Sequence, residues 1–298
     1  MNTDALAGRT IAGYHLTKYV GEGGTATVYR AEHPERGLAA VKILRSRLAQ
    51  DPVAIKRFLR EAEYGARVIH PNIVRTFDYG QADGLHFLAL EWADGEPLAE
   101  FVSRSGHLAP PLVAKIVEQI GAALTAAHKA GIIHRDLKPA NIMYDPVRQT
   151  AKLLDFGIAR DAELNPEERL TRAGFFVGTL QYVAPETLSG ELVKEQADVY
   201  SLATITYYLL TGCLPFTGKS PRELFQQLLT QTPVPLNEAK RGLRFSPAVE
   251  AVVMRGLERD LSKRCKTVDE FARAFCTAVE ETPKRTGFLT ALFRKSGE

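Results

Sequence analysis

An acid, an ammonium and an amide fall close together in the stretch HRDLKPAN, which runs from His134 to Asn141. Asp136, Lys138 and Asn141 cannot all be buried cheaply, because unpaired charge in an apolar interior is strongly unfavourable. The stretch is either an ordinary surface loop or the place where something needs all three groups. A second polar residue follows an apolar run in LLDFGIA, where Asp155 ends a strand-like segment. Aspartate in that place often forms a turn or caps a helix. Together, though, Asn141 and Asp155 offer hard oxygen ligands of the kind that hold Mg²⁺ jointly with phosphates. Upstream, VGEGGTATV (Val20 to Val28) is a glycine-rich turn between two strand-like runs. Glycines let backbone N–H groups approach phosphate oxygens closely, although most such hairpins are simply turns. In AAVKIL, Lys42 shares a strand face with Ala40, while Val41 and Ile43 take the other. Lys42 is either a snorkelling lysine at a strand edge or an ammonium that bridges nucleotide phosphates, with Ala40 leaving room for a flat base. Glu61 sits on the inward stripe of a helix-like segment and asks for a cationic partner, for which Lys42 is the candidate. The plain alternative is a solvated acid within REAE, which is how Glu63 reads.

These residues need elements to hold them. The first ninety or so positions are strand-rich: LTKYVGEGG, TATVYRAE, LAAVKIL and HFLALEW alternate or cluster apolar and β-branched residues around turns. Between them DPVAIKRFLREAEYGARVI reads as a helix, with Phe58, Ala62, Ala66 and Ile69 expected on one apolar stripe. Helices dominate after DGEPL. PPLVAKIVEQIGAALTAAHKAG carries apolar residues four apart and should stop at Gly131. ADVYSLATITYYLLTG is apolar nearly all round, which predicts a central buried helix. Ser220 with Glu223, and Thr267 with Glu270, have the spacing of capping boxes that open two further helices.

Composition narrows the classes. The chain has 298 residues, 45% hydrophobic and 24% charged, enough for two lobes that each bury a core. A formal charge of +3 without a clustered basic face argues against nucleic acid as a partner. No run approaches a membrane span, and the opening MNTDALAGRT lacks an apolar signal core, so residence in the cytoplasm is expected. Cys213, Cys265 and Cys276 are scattered and read as reduced thiols.

Taken in order, the glycine-rich hairpin, strand lysine, helical glutamate, polar loop and strand-end aspartate resemble the protein kinase family. In particular the chain resembles the bacterial Hanks-type (eukaryotic-like) serine/threonine kinases, from about Ile11 to Val279. The resemblance implies an α+β bilobal fold with a small antiparallel-sheet N-lobe, one key helix and a larger, mainly helical C-lobe. It divides the chain into an extension (1–10), the N-lobe (11–90), a hinge (91–96), the C-lobe (97–279) and a basic amphipathic tail or linker (280–298). It implies ATP and Mg²⁺ as cofactors, with Mn²⁺ as a substitute, and protein substrates that accept on Ser or Thr. Val20, Gly21, Gly23 and Val28 match the phosphate-covering loop, with Ala26 standing where the family has its third glycine. Lys42 and Glu61 match the ion pair of the active state. Leu90, Glu91 and Ala93 match the back of the adenine pocket and the hinge groups that bond the base. Asp136 matches the catalytic aspartate, Lys138 the charge-neutralising lysine, and Asn141 and Asp155 the metal ligands. Thr179, in GTLQYVAPE, is expected near Asp136. Glu186 is expected to pair with Arg264, and Asp198 to brace the backbone near Arg135. Ala203, where the family has glycine, is read as a packing change.

Regulation is expected between Asp155 and Glu186, a connection too long to be plain. There Thr171 is expected to be phosphorylated and to dock on Arg135 through charge-assisted bonds. Thr179 and Ser189 compete for that role. The tail PKRTGFLTALFRKSGE is read as a linker, with a membrane-surface helix or docking segment as alternatives. By family analogy the chain is a candidate for homodimerisation through the sheet lobe, and for being the cytosolic part of a longer membrane-anchored protein. The rival readings are a catalytically silent member of the fold and a small-molecule phosphotransferase.

Overall fold

The computed structural model describes residues 6–154, 180–188 and 194–282. Asp155, Thr171, Thr179 and Ser189 lie outside the described residues, as does the tail from 283 onward.

The amino-terminal lobe is a six-stranded antiparallel sheet in the order β1-β2-β3-β4-β6-β5. The strands are β1 (Thr10–Ile11), β2 (Tyr14–Glu22), β3 (Ala26–His33), β4 (Gly37–Leu44), β5 (Thr76–Ala82) and β6 (Leu85–Glu91). Alternation of side chains along a strand gives the sheet two faces. Tyr14, Leu16, Tyr29, Val41, Ile43 and Phe87 pack on one. Ala26, Leu44, Leu88 and Leu90 pack on the other, against Phe58 and Ala62 of helix α1 (Pro52–Ala66). Proline at the first position pre-sets that helix, and the Asp51 carboxylate caps it, accepting from Val53 N at 2.9 Å and Ala54 N at 3.3 Å.

The inward stripe of α1 differs from the sequence expectation. Phe58, Ala62 and Gly65 are buried, whereas Ala66 is exposed and Ile69 is 75% exposed. The reason is geometric. A helix of 3.6 residues per turn continues the stripe from 62 to 65 rather than to 66, and the helix ends before Ile69. Val68 turns inward instead and joins the core of the large lobe.

That lobe contains a small antiparallel sheet of β7 (Glu96–Pro97), β8 (Ile142–Asp145) and β9 (Thr150–Leu153). Its helices are α2 (Leu98–Ser105), α3 (Pro110–Lys129), α4 (Pro185–Leu188), α5 (Gln196–Thr211), α6 (Pro221–Thr230), α7 (Pro247–Gly256) and α8 (Val268–Glu280). Helix α5 is the central one and is buried at every position but Gln196 and Tyr208, as its uniform apolarity predicts. The methyl of Ala203 lies where α7 presents Gly256, whose added Cβ would come within 2.5 Å of it. The alanine is therefore absorbed by packing. Helix α3 ends as expected, with Gly131 at φ +72°, Gly131 N donating to His128 O and Ile132 N to Ala127 O. The two capping residues also act: Ser220 Oγ accepts from Glu223 N and Thr267 Oγ1 from Glu270 N, both at 3.1 Å. The glutamates reach one residue further back than a capping box requires, to the N–H groups of Lys219 and Lys266.

The segment that follows α1 belongs to the large lobe. Val74 N donates to Leu153 O at 2.9 Å and Leu153 N to Asn72 O at 2.8 Å. Asn72 Nδ2 donates to Ala151 O and to Gln119 Oε1, each at 2.9 Å, and Ile73 sits in the large-lobe core. The three cysteines are free thiols; burial raises Cys265 and pushes Cys276 up to about 11.

Candidate active site

Lys42 projects from β4 on the face that carries α1, opposite Val28 of β3 and Leu88 of β6. Its Nζ lies 3.7 Å from Glu61 Oε1, and both side chains are largely shielded. One strand repeat away, Ala40 is paired with Leu90. These two, Ala93 and Leu154 belong to one apolar cluster, a surface against which a flat ring could lie. Glu91 leads out of β6 with its carboxylate fixed: Arg75 N donates to it at 3.2 Å and Lys152 forms a close ion pair with it. Lys152 carried no distinguishing signal in the sequence, because a strand lysine near a hinge acid is a matter of tertiary placement. The glycine-rich turn joins β2 to β3, with Gly23 N bonded to Ala26 O at 2.8 Å. Ala26 is buried in the cluster beneath, whereas Val20 is half exposed at the lip and Val28 half buried.

The HRDLKPAN stretch forms a tight knot around Asp136. Lys138 Nζ donates to Asp136 Oδ2 at 3.0 Å. Asn141 Nδ2 donates to the same oxygen at 3.2 Å and to the Asp136 carbonyl at 2.9 Å. With its amide nitrogen so engaged, the Asn141 side-chain oxygen is the atom that would face a metal, a hard donor of the kind that suits Mg²⁺. Asp155, the second expected ligand, lies outside the described residues. Arg135 adopts φ +64°, a left-handed conformation that an arginine does not hold unaided. Asp198 holds it. Its fully buried carboxylate accepts from His134 N at 2.9 Å, Arg135 N at 3.1 Å and His128 Nε2 at 2.7 Å.

Burial opposes ionisation of Asp198. The His128 bond, the imidazoles of His134 and His128 and the His134 N–H outweigh it, so the carboxyl sits below the ordinary aspartate value. A depressed folded value contributes stability above the unfolded value and loses it as pH falls through the folded one. The urea midpoint should therefore hold its Asp198 contribution at neutral pH and lose it below about pH 4, near the unfolded aspartate value. An Asp198→Asn variant measured in parallel should show a shallower acid fall.

Elsewhere in the large lobe, Glu186 of α4 and Arg264 form a bidentate pair at 2.7 and 3.1 Å, with both side chains buried. Arg264 also donates to Glu258 O and Gln196 O and lies over the Tyr200 ring.

A strand lysine paired with a helical glutamate, and a looped aspartate bonded to a lysine and an asparagine, are the constellation of the protein kinase domain. The model of that domain matches residues 14–276. The chain belongs to the protein kinase family. Among relatives of this kinase domain, pkn3 of Myxococcus xanthus, a serine/threonine-protein kinase, is 38% identical over 95% of the chain and 53% of its own length. PknB of Mycolicibacterium smegmatis, likewise named, is 38% identical over 86% of the chain and 41% of its own length. The chain thus spans about half the length of the curated relatives it matches. Among solved structures, the kinase domain of Mycobacterium tuberculosis PknI aligns with a TM-score of 0.70 at 29% identity, covering 91% of this chain and 98% of that one. Rad53 residues 1–466 in complex with AMP-PNP aligns with a TM-score of 0.72 at 28% identity, covering 89% and 65%.

The kinase domain contains a further site residue that the sequence did not single out. His128 looked like any polar residue at a helix end, yet it is buried and donates to Asp198 from eight residues before Asp136. Removing that donor in His128→Leu should loosen the kinked loop and lower kcat about tenfold or more, because small misplacements of catalytic groups are costly. His128→Gln, which returns an N–H near the Nε2 position, should restore most of it. Steady-state phosphate transfer, with KM for nucleotide recorded alongside, checks both.

Proposed function

We propose that the chain is an ATP- and Mg²⁺-dependent protein serine/threonine kinase that transfers the γ-phosphoryl group to Ser or Thr hydroxyls of proteins. The observation that carries this reading is the bonding around Asp136. Lys138 and Asn141 both donate to one carboxylate oxygen, which fixes the orientation of the group that would receive the substrate hydroxyl. In this reading Lys138 and Lys42 spread the charge of the phosphates, Glu61 keeps Lys42 in place, and Asn141 with Asp155 would hold the metal. The metal's contribution is to neutralise phosphate charge. Phosphoryl transfer has a loose transition state, so positioning and charge stabilisation supply most of the rate.

The glycine-rich turn supports a phosphate ligand independently. Gly21, Gly23 and Gly24 do not adopt the left-handed region, and a Cβ on Gly21 or Gly24 would meet nothing within 4 Å. Neither backbone conformation nor internal packing asks for glycine there, and the open space beside Gly21 and Gly24 would let a ligand approach the backbone closely. Ala40, Leu90 and Ala93 would receive the base, with Val20 and Val28 above it and the Glu91 and Ala93 backbone at its edge. A protein acceptor is supported by the buried Glu186–Arg264 pair, which ties the docking segment that contains Thr179 to the helical core, and by Lys138 two residues beyond Asp136. The relatives' names support Ser and Thr over Tyr. Thr171 is the proposed autophosphorylation site, with Arg135 donating hydrogen bonds to its phosphate. Membrane contact through the tail and pairing through the sheet lobe stay expectations of the sequence.

Purified chain incubated with γ-labelled ATP and either Mg²⁺ or Mn²⁺ should label itself and a basic protein mixture on Ser and Thr, with Mg²⁺ sufficient. Nucleotide binding without transfer would establish a silent member of the fold, and label confined to small molecules would establish a different phosphotransferase.

A further inference from the structure

Three consecutive carbonyls at the tip of the glycine-rich turn are all taken by one short segment. Arg45 Nη1 donates to Gly23 O at 3.2 Å, Arg47 Nη2 to Gly24 O at 3.0 Å, and Arg45 N to Thr25 O at 3.0 Å. Arg45 Nη1 also lies 2.5 Å from Glu22 Oε1, so one guanidinium grips both a side chain and a carbonyl of the turn. A planar fork with several donors can do this; a lysine ammonium has no such fixed directions. Leu48 N then bonds back to Arg45 O and Asp51 N to Leu48 O, which ties the same segment to the cap of α1.

Peptide planarity turns these bonds into an orientation. In a trans peptide the N–H of one residue points opposite to the carbonyl of the residue before it. Fixing the carbonyls of Gly23 and Gly24 therefore aims the N–H groups of Gly24 and Thr25 away from the two guanidiniums. Among the described residues neither of those N–H groups has an acceptor, and both residues are exposed. A glycine-rich tip left to itself would sample many orientations, and ordering it on binding would cost affinity.

We propose that Arg45 and Arg47 are positioning residues: they clasp the carbonyl side of the turn so that the Gly24 and Thr25 N–H groups stand ready as donors to the terminal phosphate of the nucleotide. The proposal rests on the phosphotransferase reading above. It assigns roles to residues outside the glycine motif, in a connector between the strand of Lys42 and the helix of Glu61.

The test compares ATP, ADP and adenosine binding by calorimetry, with Mg²⁺ present, in wild type, Arg45→Ala/Arg47→Ala and Arg45→Lys/Arg47→Lys. The alanine pair should weaken ATP about tenfold and leave adenosine within about twofold, the signature of lost preorganised phosphate donors. The lysine pair, which keeps the charge but not the fork, should recover less than half of the loss on a logarithmic scale. Thermal melting should show both variants folded, since the side chains lie at the surface. Equal weakening of ATP and adenosine, unchanged ATP affinity, or full rescue by lysine would each overturn the clasp. A wild-type chain that binds no ATP would instead overturn the phosphotransferase reading beneath it.

Discussion

Asparagine in place of Asp136 is expected to leave a folded, nucleotide-binding protein that transfers no measurable phosphate. The substitution is close to isosteric. The amide oxygen of the new residue can still accept from Lys138 Nζ and Asn141 Nδ2, now at 3.0 and 3.2 Å from the carboxylate, so the knot and the bond from Asn141 to the main chain survive. The other end of the side chain changes in kind. An NH₂ presents donors where a substrate hydroxyl must be accepted, and it cannot take up a proton. Loss of a positioned general base costs roughly a hundred- to ten-thousand-fold. Label transfer should fall by at least that lower bound, with ATP affinity within about threefold of wild type. A variant that kept a tenth of the wild-type rate would remove Asp136 from the chemistry. The same experiment on Lys138→Met would then show whether charge neutralisation alone sustains transfer.

Arg264→Met should produce the largest loss of stability. The guanidinium is fully buried, and its removal takes the bidentate cationic partner from a Glu186 carboxylate that has almost no access to water. Breaking one side of a buried pair costs about 3–5 kcal/mol. The carbonyls of Glu258 and Gln196 lose their donors at the same time. Urea unfolding should show that loss as a shift in midpoint at constant slope. The double change Arg264→Met with Glu186→Leu should return most of it, because a well-packed apolar pair of similar volume is often as stable as the ion pair it replaces. If the single variant unfolded at the wild-type midpoint, the pair would be ornamental to the fold.

Much of this was legible in the residues, for identifiable physical reasons. Helix α5 announced itself because a segment apolar on every side has nowhere to go but the centre. The two faces of β4 followed from strict alternation, which placed Ala40 and Lys42 together and Val41 and Ile43 opposite. The pairing of Glu186 with Arg264, 78 positions apart, was legible only through the family resemblance. Other features needed coordinates. The buried stripe of α1 is one, because Ile69 looks like a core residue and the helix stops short of it. His128 and Lys152 are ordinary polar residues whose importance comes from what tertiary folding sets beside them. Arg45 and Arg47 were silent because nothing in a strand–connector–helix pattern says where an arginine fork will land.

The anchoring of the segment after α1 has a mechanical consequence. Because Asn72, Ile73 and Val74 are stitched to β9, the segment that follows the helix is a fulcrum set in the larger lobe. Glu61 lies five residues before the end of α1 at Ala66, an arm of roughly 7.5 Å at 1.5 Å per residue. A tilt of about 20° would carry its carboxylate about 2.5 Å along the arc, enough to part it from Lys42 while the fulcrum stays still. Under the proposed kinase activity, α1 would act as a short lever on the Lys42–Glu61 pair, with its pivot in strand bonding of the opposite lobe.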